Sequence, residues 1–260
     1  MAVGLKRSAQ RGLSLIEMLV VLGVIVAVAG MVIVSTGDSG ERARSGTIIG
    51  SLNGLKSALN NYAASNNKEP ESFDSLTDSA GALFWGLTPL LTTATPEAQA
   101  RDFDGADTAV NGEASLLQAL VDAGVTKVVQ MNTSGTGDAT WNSSNGTTLD
   151  IATAISGGTV VDLAELTDSG ETKLGLTSGP NEVYVIVGVG KTATLVKNGI
   201  DEAPTCQPPS GTPETMYSRF LVVYQVMSGG VALKRAKRVD VVSSDFKTQE
   251  QHEQDWHSTN

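Results

Sequence analysis

The chain has 260 residues, with 28 Asp and Glu against 18 Lys and Arg, a formal net charge of −10. That balance argues against a nucleic-acid binder that works by neutralising phosphates. The single cysteine, Cys206, forbids an intramolecular disulfide. With only His252 and His257 beside it, it also excludes zinc sites built from four cysteines or from two cysteines and two histidines.

The length suits one domain with appendages, or at most two. Its 28 glycines, with many Ser, Thr and Asn, suggest a loop-rich or β-rich body. The apolar residues are unevenly placed, and most of the long apolar sequence lies near the N-terminus. Residues 13–34 read LSLIEMLVVLGVIVAVAGMVIV, and Glu17 is the only charge among them. As an α-helix this stretch is about 33 Å long, enough to cross a hydrocarbon core of about 30 Å. Lys6, Arg7 and Arg11 precede it without any acid, so the flank stays in the cytoplasm and the rest of the chain is sent outward. A cleaved secretory signal has an apolar core of about 7–15 residues and then a small-residue cleavage site. Here the run is longer and no Ala-x-Ala-like site closes it. A carboxylate at mid-membrane costs about 2.5–3.5 kcal/mol on insertion scales, less near the end of a span. Such a group needs a partner, and no Lys, Arg or His follows within the apolar run.

The string Arg11-Gly12-Leu13-Ser14-Leu15-Ile16-Glu17-Met18-Leu19 resembles the cleavage motif of type IV prepilins and of type II secretion pseudopilins. That resemblance implies a leader, residues 1–12, carrying Lys6, Arg7 and Arg11 and removed by a prepilin peptidase between Gly12 and Leu13. It implies N-methylation of Leu13 and puts Glu17 at the fifth mature position. Leu13 stands where the family more often has Phe. The resemblance further implies other pilin-like subunits, an inner-membrane assembly platform and, before assembly, membrane lipid as partners. The implied location is the bacterial inner membrane, single-pass with the N-terminus cytoplasmic, and then a periplasmic pseudopilus or a cell-surface filament. Cleavage creates a positive amine in an apolar setting, which is costly unless paired. In filaments of this family the Glu is thought to pair with the amine of a neighbouring subunit.

Residues 36–40 interrupt the apolar run with two glycines, and Asp38 or Ser39 could cap a fresh start. Beyond them Ile48, Leu52, Leu55, Leu59 and Tyr62 recur at spacings of four and three, a helical stripe. Residues 38 to about 64 therefore read as the amphipathic second half of one long helix, its stripe packed on the chain's own sheet. Similar proteins often have a Pro midway in this helix; here Gly30, Gly37 and Gly40 are the candidates for softening. Residues 66–70 end the helix with turn formers and Pro70.

Residues 77–180 show little periodicity. Within them 114–123 predict a helix stopped by Gly124, 125–131 a strand, and 131–146 a surface loop. Residues 183–189 predict a buried strand, with 191–196 pairing across a turn at Gly190. Residues 217–227 predict another strand, which turns at Gly229 and Gly230 into 231–242. The expected fold is α+β: a long N-terminal helix, transmembrane half plus amphipathic half, on a C-terminal antiparallel sheet of three or four strands. Pilins share that architecture. The organisation is a leader (1–12), a transmembrane and assembly half-helix (13–37), an amphipathic half-helix (38–66), a variable loop-rich region (67–182), the sheet (183–242) and a polar, loose tail (243–260).

Gly190-Lys191-Thr192 resembles the end of a phosphate-binding loop, but Val185 stands where the pattern needs Gly and a hairpin turn is the better reading. Asp102, Asp104 and Asp107 alternate around Gly105, with Glu113 further on. Calcium loops use such oxygen-rich turns, and some pseudopilins bind calcium in the head, so calcium on Asp102, Asp104 and Asp107 stands beside a plain solvated loop. Residues 234–238 (KRAKR) suit a charged edge that resists aggregation, or contact with an acidic surface on the next subunit. The two histidines lie five apart in the tail, so no Ser/His/Asp or Cys/His catalytic set is supported and no enzyme is expected. Cys206, among Pro204, Pro208 and Pro209, reads as a free thiol or an intermolecular link. The expected function is a filament subunit; the alternative is a signal-anchored envelope domain, binding or enzymatic, that does not polymerise.

Overall fold

A computed structural model describes residues 15–78, 81, 83, 97–105, 112–131, 146–157, 159–196, 198–206 and 217–258. Within 15–41 it describes the backbone and only the side chains of Met18 and Leu22. The architecture is α+β. In chain order the elements are α1 (Leu15–Asn66), β1 (Ser72–Asp78), β2 (Ala98–Phe103), α2 (Glu113–Ala123), β3 (Lys127–Met131) and β4 (Thr148–Asp150). There follow α3 (Ile151–Ile155), β5 (Val161–Leu166), α4 (Asp168–Lys173), β6 (Val183–Gly188), β7 (Leu221–Ser228), β8 (Val231–Val242) and α5 (Gln249–Ser258).

α1 runs through Gly37 and Gly40 without a break. It stops at Asn67, whose φ of 54° takes the chain out of the helix. The stripe is buried as its spacing requires: Ile48, Leu52, Leu55 and Leu59 join a core with Phe73, Leu116, Val185 and Val222, and Tyr62 packs at its margin.

Among the described residues eight strands form one mixed sheet in the order β2-β5-β6-β1-β3-β4, with β7 on β6 and β8 on β7. One edge of β6 runs along β7; the other meets β5 at Val185 and Ile186 and β1 at Gly188. β6 and β7 are apolar at nearly every position because both faces are covered. Val183, Val185, Val187, Val222 and Tyr224 enter the core shared with α1 and α2. Tyr184, Ile186, Leu221 and Val223 enter a second core with Leu76, Tyr217 and Phe246 on the opposite face. β7 and β8 join at Gly229 and Gly230, with φ of 60° and 77°.

The sheet is larger than the three or four antiparallel strands expected. β6, β7 and β8 occur as read, but residues 191–196 form turns, with Ala193 N–H donating to the Gly190 carbonyl at 3.2 Å. The other five strands come from the region read as loop-rich, and β1 pairs with β3 in parallel. β1 hides its pattern because Asp74, Ser75 and Thr77 are buried polar residues, held in part by Thr77 Oγ1 donating to the Asp162 carbonyl (2.8 Å), with Ser75 Oγ 2.9 Å from Thr77 Oγ1. A bulge with Leu76 at φ 66° breaks its alternation further. The helix and strand expected at 114–131 occur as α2 and β3. Gly124 caps α2 at φ 114°, where a Cβ would come within 2.8 Å of the Glu69 carbonyl oxygen. The loop expected at 131–146 lies, past β3, outside the described residues.

The tail is not loose. α5 lies against α1 and reaches α4 through Gln251 Nε2, which donates to the Lys173 carbonyl at 2.7 Å. Its sequence is polar, so an apolar stripe could not have announced it.

Candidate functional site

Two regions carry candidate functional residues, and α1 joins them. Of the N-terminal set, Lys6, Arg7, Arg11, Gly12 and Leu13 lie outside the described residues. Glu17 sits in the first described turn of α1, with its side chain outside them. Met18 and Leu22, one turn apart, are 64% and 67% exposed. Among the described residues no helix is long and apolar enough to cross a membrane. Most side chains of the apolar stretch lie outside that set.

At the head end of α1, Arg42, Arg44 and Ile48 share a cavity of about 310 Å³ with Asp245, His252 and Trp256. His252, 3% exposed, places Nε2 2.8 Å from Ser243 Oγ and 3.6 Å from Asp245 Oδ1. Ser243 Oγ also donates to Asp245 Oδ1. Burial works against the Asp245 charge, but hydrogen bonds from His252 and Ser243, with the charges of His252 and Lys247, hold its carboxyl at about 2. Sequence reading kept the two histidines apart from any such group; the structure brings Ser243, Asp245 and His252 together. Serine and carboxylate both address the same ring nitrogen. A nucleophile relay needs the carboxylate on the other one, so this arrangement pins α5 rather than activating Ser243.

The basic run at 234–238 is not a uniform free edge. Arg235 Nη2 donates to the Asn67 carbonyl (3.0 Å), Arg238 Nη2 to Asn60 Oδ1 (2.6 Å), and Arg238 Nη1 lies 3.2 Å from Glu69 Oε2. With Lys56 and Asp240 paired at 2.7 Å, these contacts sew β8 to the C-terminal part of α1. Burial raises the Glu69 pKa, and Arg238 and the Tyr224 hydroxyl oppose it. Lys234 and Lys237 remain exposed.

Of the acids expected to bind calcium, Asp102 is on β2, Asp104 lies just past it, and Asp107 is outside the described residues. Asp102 stands opposite Asp162 of β5. Burial, then the hydrogen bond and charge of Asp102 and the charge of Asp78, push the Asp162 carboxyl up to about 6. Glu113 is taken by Arg101, whose Nε lies 3.1 Å from it and whose Nη1 lies 3.0 Å from Glu165. Among the described residues no group of three or more His, Cys, Asp or Glu is placed to hold a metal ion.

At the phosphate-loop lookalike, a Cβ on Gly190 would meet Asp74 Oδ2 at 2.1 Å. A carboxylate beneath the turn opposes an anion there. Cys206 is buried, its thiol pKa raised by burial, so the reading as an intermolecular link is corrected.

No curated protein and no solved structure matches the chain. Residues 7–33 match the family model described as Prokaryotic N-terminal methylation motif. The matched span takes in Arg7, Arg11, Gly12, Leu13, Glu17 and nearly all of the apolar stretch, and with it the chain carries the signature of prepilin-type proteins, the precursors of type IV pilins and pseudopilins.

Proposed function

We propose that the protein is a pilin-like filament subunit, made as a membrane-inserted precursor. A prepilin peptidase removes residues 1–12 on the cytoplasmic side and methylates the amine of Leu13. The first half of α1 anchors the mature chain in the inner membrane, with the head outside the cytoplasm. An assembly platform then draws subunits into a type II secretion pseudopilus or a type IV pilus. In the filament, Glu17 pairs with the Leu13 amine of a neighbour.

The observation that carries this reading is the placement of Glu17. It is the only charge in residues 13–34 and lies five residues beyond Gly12, on a helix whose other end is built into the head core. A lone carboxylate there is costly without a cationic partner, and cleavage at Gly12 creates one. The test is N-terminal sequencing with intact-mass measurement on protein extracted from native membranes. The expected mature chain begins at methylated Leu13, and replacing Gly12 with a bulky residue blocks that maturation. Mature protein that keeps residues 1–12 would instead support a signal-anchored envelope domain.

A further inference from the structure

The base of the head carries a surface that the pairing of Glu17 leaves unused. Where α1 enters the head, a cavity of about 310 Å³ lies between residues 42–48 of α1 and residues 252–258 of α5. Arg42, Arg44 and Lys247 line it, against the acids Asp245 and Asp255, so cations lead by one before His252 is counted. On a chain of net charge −10 this is a local reversal of sign. Both acids are engaged within the fold. Asp255 takes Lys247 Nζ at 2.7 Å, and Asp245 accepts from Ser243 and lies beside His252. Glu250 and Glu253, the other acids of α5, line a different groove. The surplus therefore resides on the two guanidiniums, whose forked N–H donors match a phosphate. One positive charge also balances one phosphate diester.

The cavity's place along α1 identifies the source of that phosphate. α1 continues without a break from the apolar stretch, which ends at Val34. Arg42 stands about 12 Å further along the axis. Side chains on a helix lean toward its N-terminus and cover the turn before their own Cα, which brings the Arg42 end back to about 7 Å from Val34. The polar layer of a bilayer extends about 5–8 Å beyond its hydrocarbon core. With the apolar stretch in the membrane, guanidinium and headgroup phosphate stand at one level. A second observation points the same way. Among the described residues the exposed large apolar side chains are Met18, Leu22, Val160, Val231 and Trp256. Trp256, the aromatic one, is part of this cavity's wall. An indole has an apolar body and one N–H donor, the combination that settles at a membrane–water boundary.

We propose that the cavity between α1 and α5 holds the phosphate of a phospholipid headgroup from the leaflet facing the head, with Arg42 and Arg44 on the phosphate and Trp256 beside it. This site rests on the membrane anchoring in the reading above, and it seats the head on the bilayer before assembly.

The experiment uses the mature full chain. In nanodiscs, a phospholipid with a diazirine on its headgroup is irradiated; dinitrogen leaves, and the carbene inserts into a neighbouring C–H, N–H or O–H bond. The expected label lies on peptides covering residues 42–48 and 252–258. In mild detergent, native mass spectrometry counts the phosphatidylglycerol kept by each chain. One molecule is expected, and R42Q/R44Q lowers its retention about thirtyfold, the weight of two cations at an anionic surface. R42K/R44K keeps most of it. A glycolipid with the same acyl chains and no phosphate is not kept, and millimolar inorganic phosphate does not displace the phospholipid. Label spread evenly over the head, equal retention of the glycolipid, or unchanged retention by R42Q/R44Q each overturn this site alone. A melting temperature raised by inorganic phosphate without any lipid kept does the same. The labelling needs no variant, so a misfolded R42Q/R44Q leaves the test standing. Recovery of the chain from the soluble fraction overturns the anchored reading together with the site. A membrane chain that keeps residues 1–12 and still takes the label overturns the filament reading and supports the site.

Discussion

The two halves of α1 share one backbone and obey different rules. Residues 15–41 are apolar all round apart from the single charge at Glu17 and the polar patch at 36–41, and what can be read there is chemical: which residue stands how far from Gly12. Residues 42–66 carry charges outside a narrow stripe, and what can be read there is periodic: Ile48, Leu52, Leu55 and Leu59 fall on one face and are buried. A half whose meaning rests on one residue should fail in function when that residue changes. A half whose meaning rests on a pattern should lose stability first.

The sharpest way to break this comparison is to exchange the two kinds of damage. Glu17→Ala removes a costly charge from an apolar helix and leaves the head untouched, yet under the proposed pairing it strands the Leu13 amine of a neighbour. Breaking a buried pair costs about 3–5 kcal/mol, so filament yield should fall by about two to four orders of magnitude. Cleavage and membrane residence, read by N-terminal sequencing and fractionation, should be unchanged. Wild-type assembly by Glu17→Ala removes the pairing role. Leu52→Ala should do the reverse, lowering head stability by about 2–5 kcal/mol in a denaturant melt while processing at Gly12 continues.

A second experiment sets the limits of the head half. The sequence alone places the end of the fold near Val242. The packing of α5, with Ser243, Asp245 and His252, moves that end to about Ser258. A fragment of residues 38–258 should fold cooperatively as a monomer. A fragment of residues 38–242 should be less stable by about 1–3 kcal/mol or more, because it uncovers Phe246's site in the second core and leaves Arg42 and Arg44 without the facing helix. Equal melting temperatures for the two fragments would show that α5 contributes nothing.

The smallest expected effect is a pH dependence. Asp162, at about 6 in the fold against 3.8 for a free carboxyl, binds its proton more tightly when folded. Its contribution is fully present below pH 3.8 and is lost as pH rises through about 6. Glu171, raised from 4.5 to about 7, acts with the same sign over a slightly higher window. Asp245, lowered from 3.8 to about 2, has the opposite sign and matters only as pH falls below 3.8. Asp162→Asn should therefore raise the melting temperature of the 38–258 fragment at pH 8, by about 2–4 °C for each kcal/mol recovered, and leave it nearly unchanged at pH 4. The same curve is expected with calcium added. A calcium-dependent rise that Asp102→Asn abolishes would favour the metal expectation for that loop.

What could be read from the sequence follows the same division. The processing motif was legible because its residues are contiguous, and the α1 stripe because its period is regular. β6 and β7 were legible because strands covered on both faces are apolar throughout. β1 was not, since its buried positions include Asp74, Ser75 and Thr77, made tolerable by partners such as Tyr217 that lie far along the chain. α5 was missed because it docks through one buried histidine, His252, and the hydrogen bond of Gln251 to the Lys173 carbonyl rather than through an apolar face. The charged run on β8 was half understood: that Arg235 and Arg238 would find Asn67, Asn60 and Glu69 depends on a separation of about 170 residues that no local pattern encodes. Glu165, Asp168, Glu171 and Glu182 line one cavity, yet they come from β5, α4 and the turn before β6, and no single segment announces it.

The clasping of α1 at two levels has a mechanical side. Its head portion is held near Arg42 to Ile48 by α5 and from Lys56 to Asn67 by β8, with the apolar stripe between them. From Arg44 to Asn60 the axis rises about 24 Å. Tension drawn along the first half of the helix therefore enters the head as shear, spread over the packing against α5, the polar clasp of β8 and the intervening leucines. The helix cannot slide out one bond at a time, since any axial displacement strains both clasps together. A chain built this way can be hauled by its N-terminal end without unravelling the body attached to it.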